Sequence, residues 1–225
     1  FKNWFGDWIN DPENASKVVD ENGEPMVMYH GTSNEPFTEF KREKIGTSTD
    51  IGYSGKGFYF SSSKVNASSY LRHSGNDLMQ VFLNIRNPYV VSMTNKDLEK
   101  DVMPFVGKQF FIGCKTIEEA REKYNGLLKE YPSIKDAEAN INVKAIKSYL
   151  NEETIAELQQ YDGTMFNWEG QPEFQETVAT SPNQIKSATE TTGQFSESGD
   201  IRYSAVTEAE EVEPRFSVVT DPALL

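Results

Sequence analysis

The sequence predicts an α+β fold, and three features of its pattern carry that prediction. Short runs rich in Val, Ile, Phe and Tyr fill the chain up to about residue 93. The stretch of about 94–161 switches to helical periodicity, and strand-like runs return after it. A doubly wound parallel sheet would instead alternate strands and helices throughout. With 225 residues, 37% of them hydrophobic and 12% aromatic, the chain can bury one sizeable core, or one core with an appendage.

Taken in order, "FKNWFGDWINDPENASK" reads as an aromatic N-terminal arm and a polar turn. Phe1 to Trp8 lacks the charged, apolar and small-residue zones of a signal peptide. Opening on Phe1 rather than Met, the chain is expected to be a segment of something longer. "KVVDENGEPMVMYHGT" reads as strand, turn, strand: Val18-Val19 is apolar, Asp20 to Pro25 carries turn chemistry, and Met26 to Tyr29 is again apolar. "FTEF" places Phe37 and Phe40 beside a loop, and "KREKIGTSTDIGYSGKG" is polar and glycine-rich, the composition of a surface loop. "GFYFS" is a short strand. "SKVNASSYLRHS" opens with helix-start residues and sets Val65, Ser68 or Ser69, and Arg72 at helical spacing. "LMQVFLNIRNPYVV" is the strongest strand signal in the chain.

Within the helical stretch, "TIEEAREKYNGLLKEY" and "NVKAIKSYLNEETIAELQQY" set Glu and Lys on one face. Ile117, Ala120, Tyr124, Leu127 and Leu128 share the opposite stripe, which predicts an insertion packed on the sheet. In "YDGTMFNWEGQPEFQETVATSPNQIKSA" the segments "DGT" and "EGQP" are turns, and "FQETVAT" is a strand stopped by Ser-Pro. Beyond Ser204 the chain is acidic with two prolines, as expected of a tail or linker.

Composition narrows the function. The net charge of −13 argues against a nucleic-acid groove, since a negative surface repels phosphates. No apolar run approaches the roughly 18 to 20 residues of a membrane span. One cysteine, Cys114, and two histidines make a metal site an unexpected feature and exclude an internal disulfide.

The chemistry-bearing residues gather in a few places. His30-Gly31-Thr32 ends an apolar run, and Gly55-Lys56-Gly57 precedes Phe58-Tyr59-Phe60. The glycine turn is too short for a Walker loop and lacks the third glycine of a dinucleotide fingerprint, so alone it is a tight turn. A lone strand-end histidine is most often structural. Together, however, "YHGT", "GYSGKGFYFSSSKVNASSY" and "ETVATSPNQIK" resemble the ADP-ribosyltransferases of the His-Tyr-Glu branch, which includes the poly(ADP-ribose) polymerases and diphtheria toxin. "KVVDENGEPMVMYHGT", "ETVATSPNQIKSA" and "DIRYS" are similar, more closely, to ADP-ribosyltransferase domains in polyvalent proteins of phages and mobile elements. The resemblance covers about residues 1–204, weakly within the insertion, and leaves 205–225 as an acidic tail or linker. It implies a split antiparallel β core with flanking helices and the helical insertion.

The same resemblance implies a substrate and a site. NAD would be cleaved at the nicotinamide–ribose bond through an oxocarbenium-like transition state whose leaving group is already cationic, so one carboxylate suffices where glycosidases use two. Glu176, His30 and Tyr59 are the implied catalytic residues. Glu176 would hold the ribose 2′-OH and favour positive charge at the anomeric carbon. Tyr59 and Tyr70 would clamp the nicotinamide ring. Gly31 would let backbone approach the carboxamide, His30 would bond ribose hydroxyls, and Thr32 would assist on the adenosine side. Arg72 and Lys56 are read first as solvated surface charge, with pyrophosphate contact as the alternative. The family's carboxamide-binding serine falls at Ala67, with Ser68 and Ser69 adjacent, which puts that contact in doubt. Phe174 stands two before Glu176, so the Glu-x-Glu motif of arginine-modifying toxins is absent. Trp168, Phe174 and Gln175 are candidate acceptor contacts. The function expected is a mono-ADP-ribosyltransferase acting on an unidentified protein acceptor, as a host-directed effector or toxin in the cytoplasm of the producing or target cell. An NAD glycohydrolase and a non-catalytic NAD-binding module are the alternatives. No metal, nucleic acid or membrane partner is expected.

Overall fold

Period-two burial builds the strands. In β2 (Phe58–Ser61), Phe58 and Phe60 are buried in an apolar cluster, whereas Tyr59 between them is half-buried on the other face. The computed structural model describes residues 1–32, 37–45, 54–71, 78–93, 107–130, 141–168, 171–190 and 200–203. Besides β2, its strands are β1 (Met28–His30), β3 (Met79–Leu83), β4 (Pro88–Met93), β5 (Gly163–Trp168), β6 (Gln171–Ala179) and β7 (Ile185–Ser187). They form one seven-stranded sheet in the order β4-β5-β6-β2-β1-β3-β7.

The α+β expectation holds, and the sheet is split at one joint. β2 pairs with β6 over four positions, and β1 pairs with β3 over three. Between β1 and β2 the register is a single pair, Tyr29 with Ser61. All pairings are antiparallel except β4 with β5, which run parallel. The split antiparallel core expected from sequence is observed; at one flank the insertion lies between β4 and β5 and returns the chain in the same direction, so that this pair runs parallel.

Other elements differ locally from expectation. Val18-Val19 forms no strand, only an isolated bridge of Val19 to Pro25 across the turn, because two residues are too few for a ladder. "LMQVFLNIRNPYVV" is two strands on opposite flanks of the sheet, β3 and β4. The break is fixed by Asp162, whose carboxylate accepts from the N–H groups of Arg86 (2.8 Å) and Asn87 (3.0 Å). β5 begins inside "DGT", and β6 starts at Gln171, three residues before the Phe174 that opens "FQETVAT". The tail of 205–225 lies outside the described residues, as do most of the glycine-rich loop (46–53) and Arg72.

Helix α1 (Lys2–Phe5) belongs to the aromatic arm, where Phe1 stacks on Phe5 at 5.3 Å and meets Phe82 edge-on at 5.0 Å. Helix α2 (Lys64–Ser68) is capped by the Ser63 side chain, which accepts from Asn66 N–H. The insertion contributes a helical turn at 107–109, then α3 (Ile117–Glu130), α4 (Ile141–Ser148) and α5 (Glu152–Leu158). Its expected stripe is observed: Ala120, Tyr124 and Leu127 are buried, and Ile117 and Leu128 pack against the same cluster as Phe110, Phe111, Ile146 and Leu158. Residues 200–203 close the structure. Ser187 N–H donates to Ile201 C=O, and Ile201 N–H donates to Thr38 C=O, both at 2.8 Å. Among the described residues no helix is long and apolar enough to cross a membrane.

Ile146 is fully buried in the insertion's core. Ile146→Ala is expected to lower the unfolding free energy by about 2–5 kcal/mol, read as a shift of the urea midpoint at unchanged m-value.

Candidate functional site

The joint between β1 and β2 is where the site forms. Past the Tyr29–Ser61 pair the two strands stop bonding as backbone ladders, and a side chain takes over. His30 Nδ1 lies 2.8 Å from the Tyr59 carbonyl oxygen. A carbonyl only accepts, so Nδ1 carries the hydrogen and Nε2 presents a lone pair. The ring is enclosed by Phe40 at 5.1 Å, Phe60 at 5.4 Å and Phe37 at 6.2 Å between centroids. Desolvation holds its pKa below the ordinary 6.5, opposed by the bond to Tyr59, so the imidazole is neutral at neutral pH.

A cleft of about 120 Å³ opens at this joint. β1 contributes Tyr29, His30 and Gly31, and β2 contributes Tyr59, Phe60 and Ser61. The α2 region adds Asn66, Ala67 and Tyr70, and β6 adds Glu176. The register explains the last of these: Glu176 stands opposite Ser61, and Val178 opposite Tyr59, so Glu176 shares a face with the Tyr59 side of β2. His30, Tyr59 and Glu176, far apart in sequence, therefore line one cleft, together with Gly31 and Tyr70.

Two glycines are required by this geometry. At Gly31 an added Cβ would strike the Ala67 carbonyl and come within 3.2 Å of Tyr70 Cβ. Gly31 thus lets α2 and Tyr70 pack directly on the strand end, a structural reason that stands beside any approach to a carboxamide. Gly55 has φ of +114°, and its Cβ would lie 3.2 Å from both Ile112 Cβ and Thr164 Oγ1. Its carbonyl accepts the Tyr59 hydroxyl at 2.7 Å, which fixes the tilt of that ring.

The remaining candidates fall elsewhere. Thr32 and Ser68 line a neighbouring groove of about 730 Å³ on the other side of α2, with Lys64, Glu190 and Arg202. Ser68 is exposed, and its hydroxyl donates to Lys64 C=O at 2.7 Å. Lys56 turns to the insertion and pairs with Glu119 at 3.1 Å. Gln175 is buried and donates to Thr177 Oγ1 at 3.2 Å, since alternation along β6 turns it away from the Glu176 face. Arg72 and the side chains of Trp168 and Phe174 lie outside the described residues. The sequence reading missed Ser61 and Asn66. Both follow from spacing: Ser61 is two residues after Tyr59 on the same strand face, and Asn66 one helical turn before Tyr70. Among the described residues no group of three His, Cys, Asp or Glu side chains is placed to hold a metal ion.

A family model described as ADP-ribosyltransferase in polyvalent proteins matches residues 20–195, a span that contains every residue of this cleft. No curated protein and no solved structure matches the chain.

The neutral, enclosed imidazole sets a pH dependence. With the folded-state pKa below the unfolded value, this contribution to stability is complete above about pH 6.5 and is lost as pH falls below it. Thermal midpoints measured between pH 7 and pH 5 are expected to fall more steeply for the natural chain than for His30→Gln, which has no ring to titrate.

Proposed function

Because the chain belongs to the family of ADP-ribosyltransferases found in polyvalent proteins, we propose that it cleaves NAD at the nicotinamide–ribose bond and transfers a single ADP-ribose to a protein acceptor. The observation that carries this reading is the convergence of His30, Tyr59, Tyr70 and Glu176 on one small cleft at the joint of the sheet.

The size of the cleft supports it. A cavity of about 150 Å³ takes a benzene ring, so 120 Å³ suits one flat heterocycle rather than a whole dinucleotide. The neighbouring 730 Å³ groove, which Thr32 lines, offers room for the rest of NAD. Tyr59, tilted by its bond to Gly55, and the half-exposed Tyr70 supply the aromatic walls for the pyridinium. His30 Nε2 accepts from a ribose hydroxyl, a role open only to the neutral ring. Glu176 accepts from the 2′-OH and places negative charge beneath the carbon that becomes oxocarbenium-like. Nicotinamide leaves as a neutral molecule, since its ring was cationic while bonded, so no residue need protonate it. The acceptor nucleophile then bonds to the anomeric carbon and releases its proton. The host-directed role follows from the likeness to domains carried by phages and mobile elements.

Isotope-labelled NAD incubated with the protein, with and without cell lysate, tests the reading. Label is expected on a lysate protein; free ADP-ribose alone would mean hydrolysis, and intact NAD would mean binding without turnover. Glu176→Ala is expected to cut turnover by a factor of at least ~10² with an unchanged circular-dichroism spectrum. Undiminished turnover in that variant would remove Glu176 from the mechanism.

A further inference from the structure

Two polar side chains of the cleft have no part in the chemistry above. Ser61 is 5% exposed and occupies the middle of three strands, opposite Tyr29 on one side and Glu176 on the other. Its Oγ accepts from Ser63 N–H at 3.1 Å and from Asn66 Nδ2 at 3.4 Å. A serine hydroxyl has two lone pairs and one hydrogen. With both lone pairs engaged, Ser61 is left as a donor only, and among the described residues nothing accepts its hydrogen. Directly opposed side chains on antiparallel strands lie about 4.5–5.5 Å apart at Cβ. A donor and a carboxylate acceptor thus stand side by side on one wall of the cleft.

That unlike pair matches a vicinal diol, which donates from one oxygen while accepting at the other. We propose that Ser61, oriented by Asn66, binds the 3′-oxygen of the nicotinamide ribose while Glu176 accepts from the adjacent 2′-OH. Ser61 is then a substrate-contacting residue that specifies an intact cis-diol, and Asn66 is a positioning residue acting through it. The inference rests on the NAD reading of the same cleft, and it adds the feature of the sugar that the site selects.

Binding separates the two ideas. Calorimetric titration of the natural protein with NAD, and with an NAD analogue lacking the 3′-hydroxyl on the nicotinamide ribose, should show about fivefold weaker binding of the analogue, as one neutral hydrogen bond implies. Ser61→Ala should bind both dinucleotides equally, at the analogue's affinity, and Asn66→Ala should keep only part of the preference. Free nicotinamide should bind the natural protein and Ser61→Ala alike. Equal affinity of the natural protein for both dinucleotides overturns the proposal without recourse to any variant. Weaker nicotinamide binding by Ser61→Ala overturns it too, by assigning Ser61 to the carboxamide. If neither dinucleotide binds the natural protein, the NAD reading itself fails and takes this one with it.

Discussion

The bond from the His30 ring to the Tyr59 carbonyl is the constraint from which the site is built. It crosses the sheet where backbone pairing between β1 and β2 has narrowed to one position. A continuous ladder there would fill the space with main chain. Instead the strands diverge, and an imidazole spans the gap with one nitrogen fixed to protein and the ring lining the cleft. In net free energy such a bond contributes about 1 kcal/mol. Its larger effect is geometric, because the enclosing phenylalanines hold the ring in place and burial keeps it neutral.

The second side of the cleft depends on the insertion. Lys56 N–H donates to Ile112 C=O at 2.7 Å, and the Lys56 ammonium pairs with Glu119 at 3.1 Å. Each partner of that ion pair is more than one-third exposed, so the main-chain bond and the packing of Gly55 on Ile112 do most of the fixing. The turn held this way is the one whose carbonyl accepts the Tyr59 hydroxyl. The insertion's helices therefore support the cleft, although among the described residues none of their side chains lines it.

Much of this was legible in the sequence, at uneven depth. The order of strands and helices could be read because alternation and helical periodicity are local, as the stripe from Ile117 to Leu128 illustrates. Glu176 could not be placed beside Tyr59 from local pattern. Their adjacency is a matter of register between strands more than a hundred residues apart, and only the motif resemblance reached it. Other features are decided by tertiary context. From sequence Lys56 reads first as surface charge and second as a pyrophosphate contact, and only the fold shows that the insertion offers it a carboxylate. At Gly31 the resemblance implies ligand approach, and the fold adds a second reason, the Ala67 carbonyl in the space that a side chain would need. Ser61 and Asn66 are common polar residues whose significance lies in what they face.

The strap formed by residues 200–203 has a consequence of another kind. It lies along the outer margin of β7, bonded to Ser187 on one side and to Thr38 on the other. A bare margin of this sort offers unsatisfied amide and carbonyl groups to any extended chain, the usual seed of strand-by-strand aggregation. With Ile201 buried there, that template is withdrawn at Ser187, and the fold gains protection from pairing edge to edge with a second copy of itself.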